Sequence, residues 1–171
     1  GTAGDVPWED FEEYEKHRGR LREERRLLRI LQQQAEETLA HELTIALQFA
    51  SVGTLVSLKS PRLRGGVTPA VIVEKCDGPG QFPLLLCLTL DNVWMLLPCQ
   101  GVVSLHAELS CLQVDGVKLP DLNRSGELRH GDQDSGRLAL AVAHMARRHD
   151  MTTAQYDLAG EVLAQVRLVQ E

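Results

Sequence analysis

Apolar positions along this 171-residue chain change their spacing three times, and each change marks a different element. The opening stretch runs in helical periodicity, with Pro7 suited to a first turn and Asp5 near the cap position. This predicts one helix over residues 5–50, some 40 residues and roughly 60 Å long at about 1.5 Å per residue. Its first half has Tyr14, Leu21, Leu28 and Ala35 at seven-residue intervals, but His17, Glu24, Leu31 and Thr38 stand where a complementary apolar row would be. Half a seam disfavours a self-pairing coiled coil, the weakest of three functional readings. Leu39, Leu43, Ala46, Leu47 and Ala50 then form a wider stripe suited to packing on a domain. The first half is expected to project and the second half to dock.

After Ser51-Val52-Gly53 the period shortens to two. Thr54–Lys59, Pro69–Lys75, Pro83–Leu90, Val93–Pro98 and Gly101–Leu105 read as strands, with a hairpin turn at Asp91-Asn92. Cys111–Leu119 is a candidate sixth. Five or six short strands within residues 51–120 predict a small antiparallel β-barrel, which closes on itself to remove exposed edges. Residues 121–136 are polar and read as a loop. Arg137–Arg148 is Ala-rich and helical, with caps available at Asp132, Asp134 and Ser135. A break at His149-Asp150-Met151 precedes a last helix with Leu158, Val162, Val166 and Val169 on one face. Gln155–Glu171 ends in helical periodicity with no Gly, Asn or Pro in its last turns to cap it, so the 137–171 return segment is expected to continue into a longer polypeptide. The fold class is therefore α+β: a small barrel on a helical stalk, with additional C-terminal helices.

Apolar residues make up 43% of the chain and aromatics only 4%, so the core is built mainly of Leu, Val and Ala. No run of about 18 apolar residues exists to span a membrane as a helix, and no secretory leader is visible, so no membrane partner is expected. Cys76, Cys87, Cys99 and Cys111 lack the paired spacing of a zinc site and read as reduced thiols of a cytoplasmic protein. No phosphate-binding loop, nucleophile elbow or metalloprotease motif occurs. His144 and His149, five residues apart, fit poorly on one helix face as a metal pair, and His41 and His106 read as surface or packing residues. Lys75 could lower the pKa of its neighbour Cys76, but no base is placed beside that thiol. The expectation is a non-enzymatic piece, without cofactor or metal.

Charge distribution changes that picture more than the net charge of −6 does. Residues 16–29 hold seven basic side chains against two acidic, a net of +5. Arg22, Arg25, Arg26 and Arg29 could form a stripe along nucleic-acid backbone, or the whole stretch could be a solvated helix laced with salt bridges. Lys59, Arg62, Arg64 and Lys75 concentrate on the first two strands and their loop, where Gly65-Gly66 would let a backbone approach closely. Such a loop can position phosphates without reading bases. Trp94 either offers a stacking face for a base or anchors the core.

Several strings carry a family resemblance. Gly53–Lys59 and Val67–Lys75 look like the start of a KOW-type (SH3-like) barrel. Gln81–Leu88, Leu90–Trp94 and Val102–His106 resemble the insertion of Ski-like superfamily-two RNA helicases, cyanobacterial and chloroplast members above all. Trp8–Tyr14 with Arg18–Gln34 is similar to the outgoing stalk helix of that insertion. The resemblance implies an arch: two stalk helices lift a barrel from a helicase core, to contact RNA or accessory proteins. It implies partners in RNA, through its phosphate backbone, and in the helicase core of the parent chain. ATP hydrolysis would belong to that core. The acidic balance leaves a protein-docking arm as the rival to RNA binding. The chloroplast stroma is the alternative to the cytoplasm.

Overall fold

A computed structural model describes residues 8–64 and 66–152. The expected final helix beyond Thr152 lies outside these residues, as do Asp5, Pro7 and Gly65. The chain divides into two units, the first containing residues 8–38 and the second residues 39–152 among those described. The opening helix, α1, runs Trp8–Phe49. Glu9 and Asp10 in its first turn suit the positive end of the helix dipole. In the first unit its side chains are mostly exposed, and Arg26 bonds Glu23 at 3.1 Å one turn away. The helix surface is solvated and carries this ion pair at i,i+3.

The second unit centres on a six-stranded antiparallel sheet: β1 (Leu55–Lys59), β2 (Val67–Cys76), β3 (Leu84–Thr89), β4 (Val93–Pro98), β5 (Val102–Leu105) and β6 (Leu128–His130). Its order is β5-β1-β2-β3-β4-β6, so β5 and β6 are edges and the sheet does not close. The expected barrel is corrected on this point, and the reason lies in the strands themselves. Successive residues of β2 and β3 are buried on alternating faces, and both faces are apolar. Leu55, Val71, Val73, Leu86, Leu88, Trp94 and Leu96 form one core under Leu138, Ala139 and Val142 of α2 (Gln133–Arg148). Val56, Leu58, Ala70, Ile72, Leu85, Cys87, Met95 and Leu97 form a second, joined by Leu47 of α1 with Leu43 and Ala50 at its margin. A small barrel needs one apolar interior and a solvated exterior, whereas this sheet requires cover on both sides. Helices supply it.

The sixth strand also differs. Cys111–Leu119 forms no strand; Leu109, Leu112, Val114 and Val117 pack irregularly on the first core. β6 forms instead within the stretch read as loop, pairing Val93 with His130 and Met95 with Leu128. α2 starts at Gln133 rather than Arg137 because Asp132 and Ser135 close a capping box. Ser135 N–H donates to Asp132 Oδ1 and Asp132 N–H to Ser135 Oγ, both at 2.9 Å. Asn92, at φ 60° in the β3–β4 turn, donates to the Asp132 carbonyl at 3.0 Å and accepts from Ser135 Oγ at 2.7 Å. The hairpin tip is thereby tied to the start of α2.

Gly53 makes the junction between α1 and β1. Its φ is +91°, and a Cβ there would collide with the Leu112 carbonyl oxygen. Its N–H donates to Ile72 O at 2.7 Å and its carbonyl accepts from Leu112 N–H at 2.8 Å. Only glycine takes this backbone conformation against that wall without strain.

Candidate nucleic-acid interface

The β1–β2 loop, the β3–β4 turn and β6 come together at one end of the sheet. Lys59 pairs with Val67, Leu90 N–H donates to Pro69 O at 3.1 Å, and Val93 pairs with His130. Two concavities of about 500 Å³ each open there. Arg62, Leu63, Arg64, Thr68, Thr89, Asp91, Val93, Leu128 and His130 line one. The other is lined by Arg62, Asn123, Arg124, Ser125 and Glu127. Arg62 belongs to both. Arg62, Arg64 and Arg124 are exposed, so their guanidiniums remain hydrated and available to an anion.

Arg124 and His130 were not legible as site residues in the sequence. They sit in a segment that reads as an ordinary polar loop, and only the pairing of β6 with β4 carries them beside Arg62 and Arg64. Acidic groups temper the site. Asp91 lines the first concavity and Glu127 the second. The Glu127 carboxylate is held below the usual range, first by the N–H of Asn123 and then by that of Arg124. Arg129 stands 3.9 Å from Glu127 and donates to Asp121 O at 3.3 Å.

The remaining sequence-derived candidates scatter. Lys59 is exposed at the end of β1, next to the loop but lining neither concavity. Lys75 lies near the other end of β2, eight residues beyond Val67 and so roughly 25 Å along a strand. Its Nζ donates to Gln48 O at 2.9 Å, placing a cation on the C-terminal carbonyls of α1, whose own last turn has no basic residue. This bond gives Lys75 a structural partner, away from the concavities that Arg62 lines. Trp94 is only 3% exposed and belongs to the first core, so no ring face is offered to a base. The core-anchor alternative describes it. Arg22, Arg25, Arg26 and Arg29 fall at spacings of three and four on α1, exposed on one face of the helix. Arg26 is engaged by Glu23.

Cys76, Cys87 and Cys99 are shifted away from activation. Cys76 is pushed up by burial, with Glu74 and Asp77 adding to the shift, the reverse of what adjacent Lys75 suggested. Burial likewise raises Cys87 and Cys99. Among the described residues no three His, Cys, Asp or Glu side chains converge as a metal would require. Among the described residues no helix is long and apolar enough to cross a membrane.

His106 is a packing residue, one of the two readings its sequence context allowed. It is 1% exposed, and its Nε2 lies 2.7 Å from Ser57 Oγ. Ser57 gives its single proton to the Met151 carbonyl, so Nε2 of His106 is the donor in that pair. Its Nδ1 is 3.9 Å from Glu108. Burial lowers the His106 pKa, with Glu108 and Asp150 opposing the shift. Ser57 and His106 are sealed from solvent while the Glu108 side chain is 53% exposed, so the Ser57–His106 contact is a hydrogen bond of the core.

Residues 45–149 match the family described as cyanobacterial Ski2-like RNA helicase, middle domain. No curated protein and no solved structure matches the chain.

Proposed function

This chain belongs to the family of cyanobacterial Ski2-like RNA helicase middle domains, and from that membership we propose that it is a non-catalytic accessory domain that holds RNA for a helicase core. RNA lies against the Arg62–Arg64 end of the sheet, with Arg124 as a third cationic contact. The observation that carries this reading is the pair of adjoining concavities sharing Arg62, which gathers guanidiniums from two loops far apart in sequence. Arginine suits the task because its planar fork meets two phosphate oxygens at once. With Trp94 buried, its ring is not offered to a base, and the guanidinium contacts run to the phosphate backbone, indifferent to sequence.

The stalk stripe at Arg22, Arg25, Arg26 and Arg29 is a secondary contact in this reading. Binding is tested by filter retention of a labelled single-stranded RNA at low salt. The Arg62→Glu/Arg64→Glu variant should lose retention; unchanged affinity would remove these residues from the site. A second reading, a protein-docking arm, is favoured by one observation. Ile45, Phe49 and Val52 leave apolar side chains exposed near the end of α1, Phe49 by 81%. Absence of RNA retention by the wild type at low salt would promote that reading.

A further inference from the structure

The second concavity already contains an anion of the protein's own. Glu127 Oε2 accepts from two successive peptide N–H groups, Asn123 at 3.0 Å and Arg124 at 3.2 Å. Consecutive N–H groups converging on one oxygen form a nest, an anion seat made of backbone alone. The turn is set from inside: Glu127 N–H returns to Arg124 O at 2.9 Å, and Gly126 N–H donates to Leu96 O at 2.6 Å. The nest is therefore anchored to β4 rather than assembled by the carboxylate. Arg62 and Arg124 stand on the wall of the same concavity. A phosphate oxygen makes the same demand on such donors as a carboxylate oxygen, and a phosphodiester has a second free oxygen with which to reach a guanidinium.

We infer that the Asn123–Arg124 nest is a phosphate seat that Glu127 occupies while the ligand is absent, and that an incoming phosphate takes it by displacing the Glu127 carboxylate. The identity of that phosphate as part of an RNA strand rests on the function proposed above. Glu127 then acts as a specificity-determining residue. A ligand holds the seat only if its anion replaces both N–H bonds, and the displaced carboxylate has Arg129 within reach. Competition from a tethered anion keeps each phosphate weakly held, which suits a surface along which a strand must move.

The test uses the whole chain, isotopically labelled, and follows the backbone amide signals of Asn123 and Arg124. Inorganic phosphate and a short oligouridine are titrated separately into wild type, Glu127→Ala, Glu127→Gln and Asp91→Asn. Glu127→Ala should bind phosphate roughly tenfold more tightly than wild type, with these two amides moving most. Glu127→Gln, which refills the seat with a neutral oxygen, should fall between them and keeps the comparison open if the alanine variant fails to fold. Oligouridine should move the same two amides in the wild type. Asp91→Asn removes a charge from the neighbouring concavity and should gain less than Glu127→Ala. An equal gain from Asp91→Asn would reduce the effect to net charge and overturn the seat. RNA held through Arg62 and Arg64 with both amides silent overturns the seat alone. Phosphate captured at these amides, with no RNA bound by any variant, upholds the seat and overturns the RNA reading.

Discussion

Two basic regions of this molecule are built in opposite ways. On α1, Arg22, Arg25, Arg26 and Arg29 share a face because helical spacing puts them there. The result is a convex stripe, interleaved with Glu23 and Glu24 and open to solvent on all sides. At the end of the sheet, Arg62 and Arg124 lie 62 positions apart in the chain yet line one concavity. A convex stripe offers point charges that salt screens readily, whereas a concave wall aims several donors at one ligand atom. Density of charge along a sequence is thus a poor guide to convergence of charge in space.

Reversing charge in each region tests that contrast with the largest expected effect. Arg62→Glu/Arg64→Glu should lower RNA affinity on the order of a hundredfold, two guanidinium contacts at about 1.4 kcal/mol each. Arg22→Glu/Arg25→Glu on the stripe should lower it only a few-fold. Filter retention at fixed salt measures both. Equal losses would make the cavity no better than the stripe.

The helix and the sheet unit respond oppositely to alanine at glycine. Gly53→Ala, with its positive φ and the Leu112 carbonyl in the way, should destabilise the sheet unit by about 2 kcal/mol or more. Gly19→Ala, in an open helical position with nothing within 4 Å, should stabilise α1 by about 0.5–1 kcal/mol. Thermal melts followed by circular dichroism should therefore move in opposite directions.

A pH response is expected from the sheet unit. His106 is buried with a depressed pKa, so as pH falls below about 6.5 the unfolded chain takes up a proton before the folded one does. Stability should be full above that value and decline as pH drops through it. Denaturant midpoints should fall from pH 8 to pH 5 for wild type and fall less for His106→Gln. Glu127 and Asp132, whose carboxyls are also depressed, contribute in the same direction but only in more acid solution, so the windows separate.

Much of the fold was legible because the chain marks it locally. β1 through β5 are short apolar runs closed by Gly, Pro, Asp or Asn, and α1 has charge order and spacing throughout. β6 was not legible: Leu128-Arg129-His130 is three residues long, mostly polar, and exists only through its pairing with β4. Cys111–Leu119 deceived for the converse reason, since Leu112 and Val114 alternate like a strand, yet they and Val117 bury themselves without a neighbouring ladder. Closure failed for want of one distinction: apolar residues on both faces of β2 and β3 read like barrel strands until the second core is seen.

The site was half legible. Arg62 and Arg64 could be named from a basic turn, but the Gln48 carbonyl that holds Lys75 and the core position of Trp94 are facts of tertiary structure. Arg124, and the carboxylate of Glu127 beside it, emerged only when β6 brought their loop to Arg62.

The salt dependence of RNA affinity tests the central claim most directly. With Arg62, Arg64 and Arg124 each neutralising one phosphate of a single strand, log affinity should fall against log salt with a slope of about 2. Arg62→Gln/Arg64→Gln should reduce that slope by about 1.4. A slope unchanged in this variant, with affinity intact, would contradict the assignment of the cavity as the place where RNA is held.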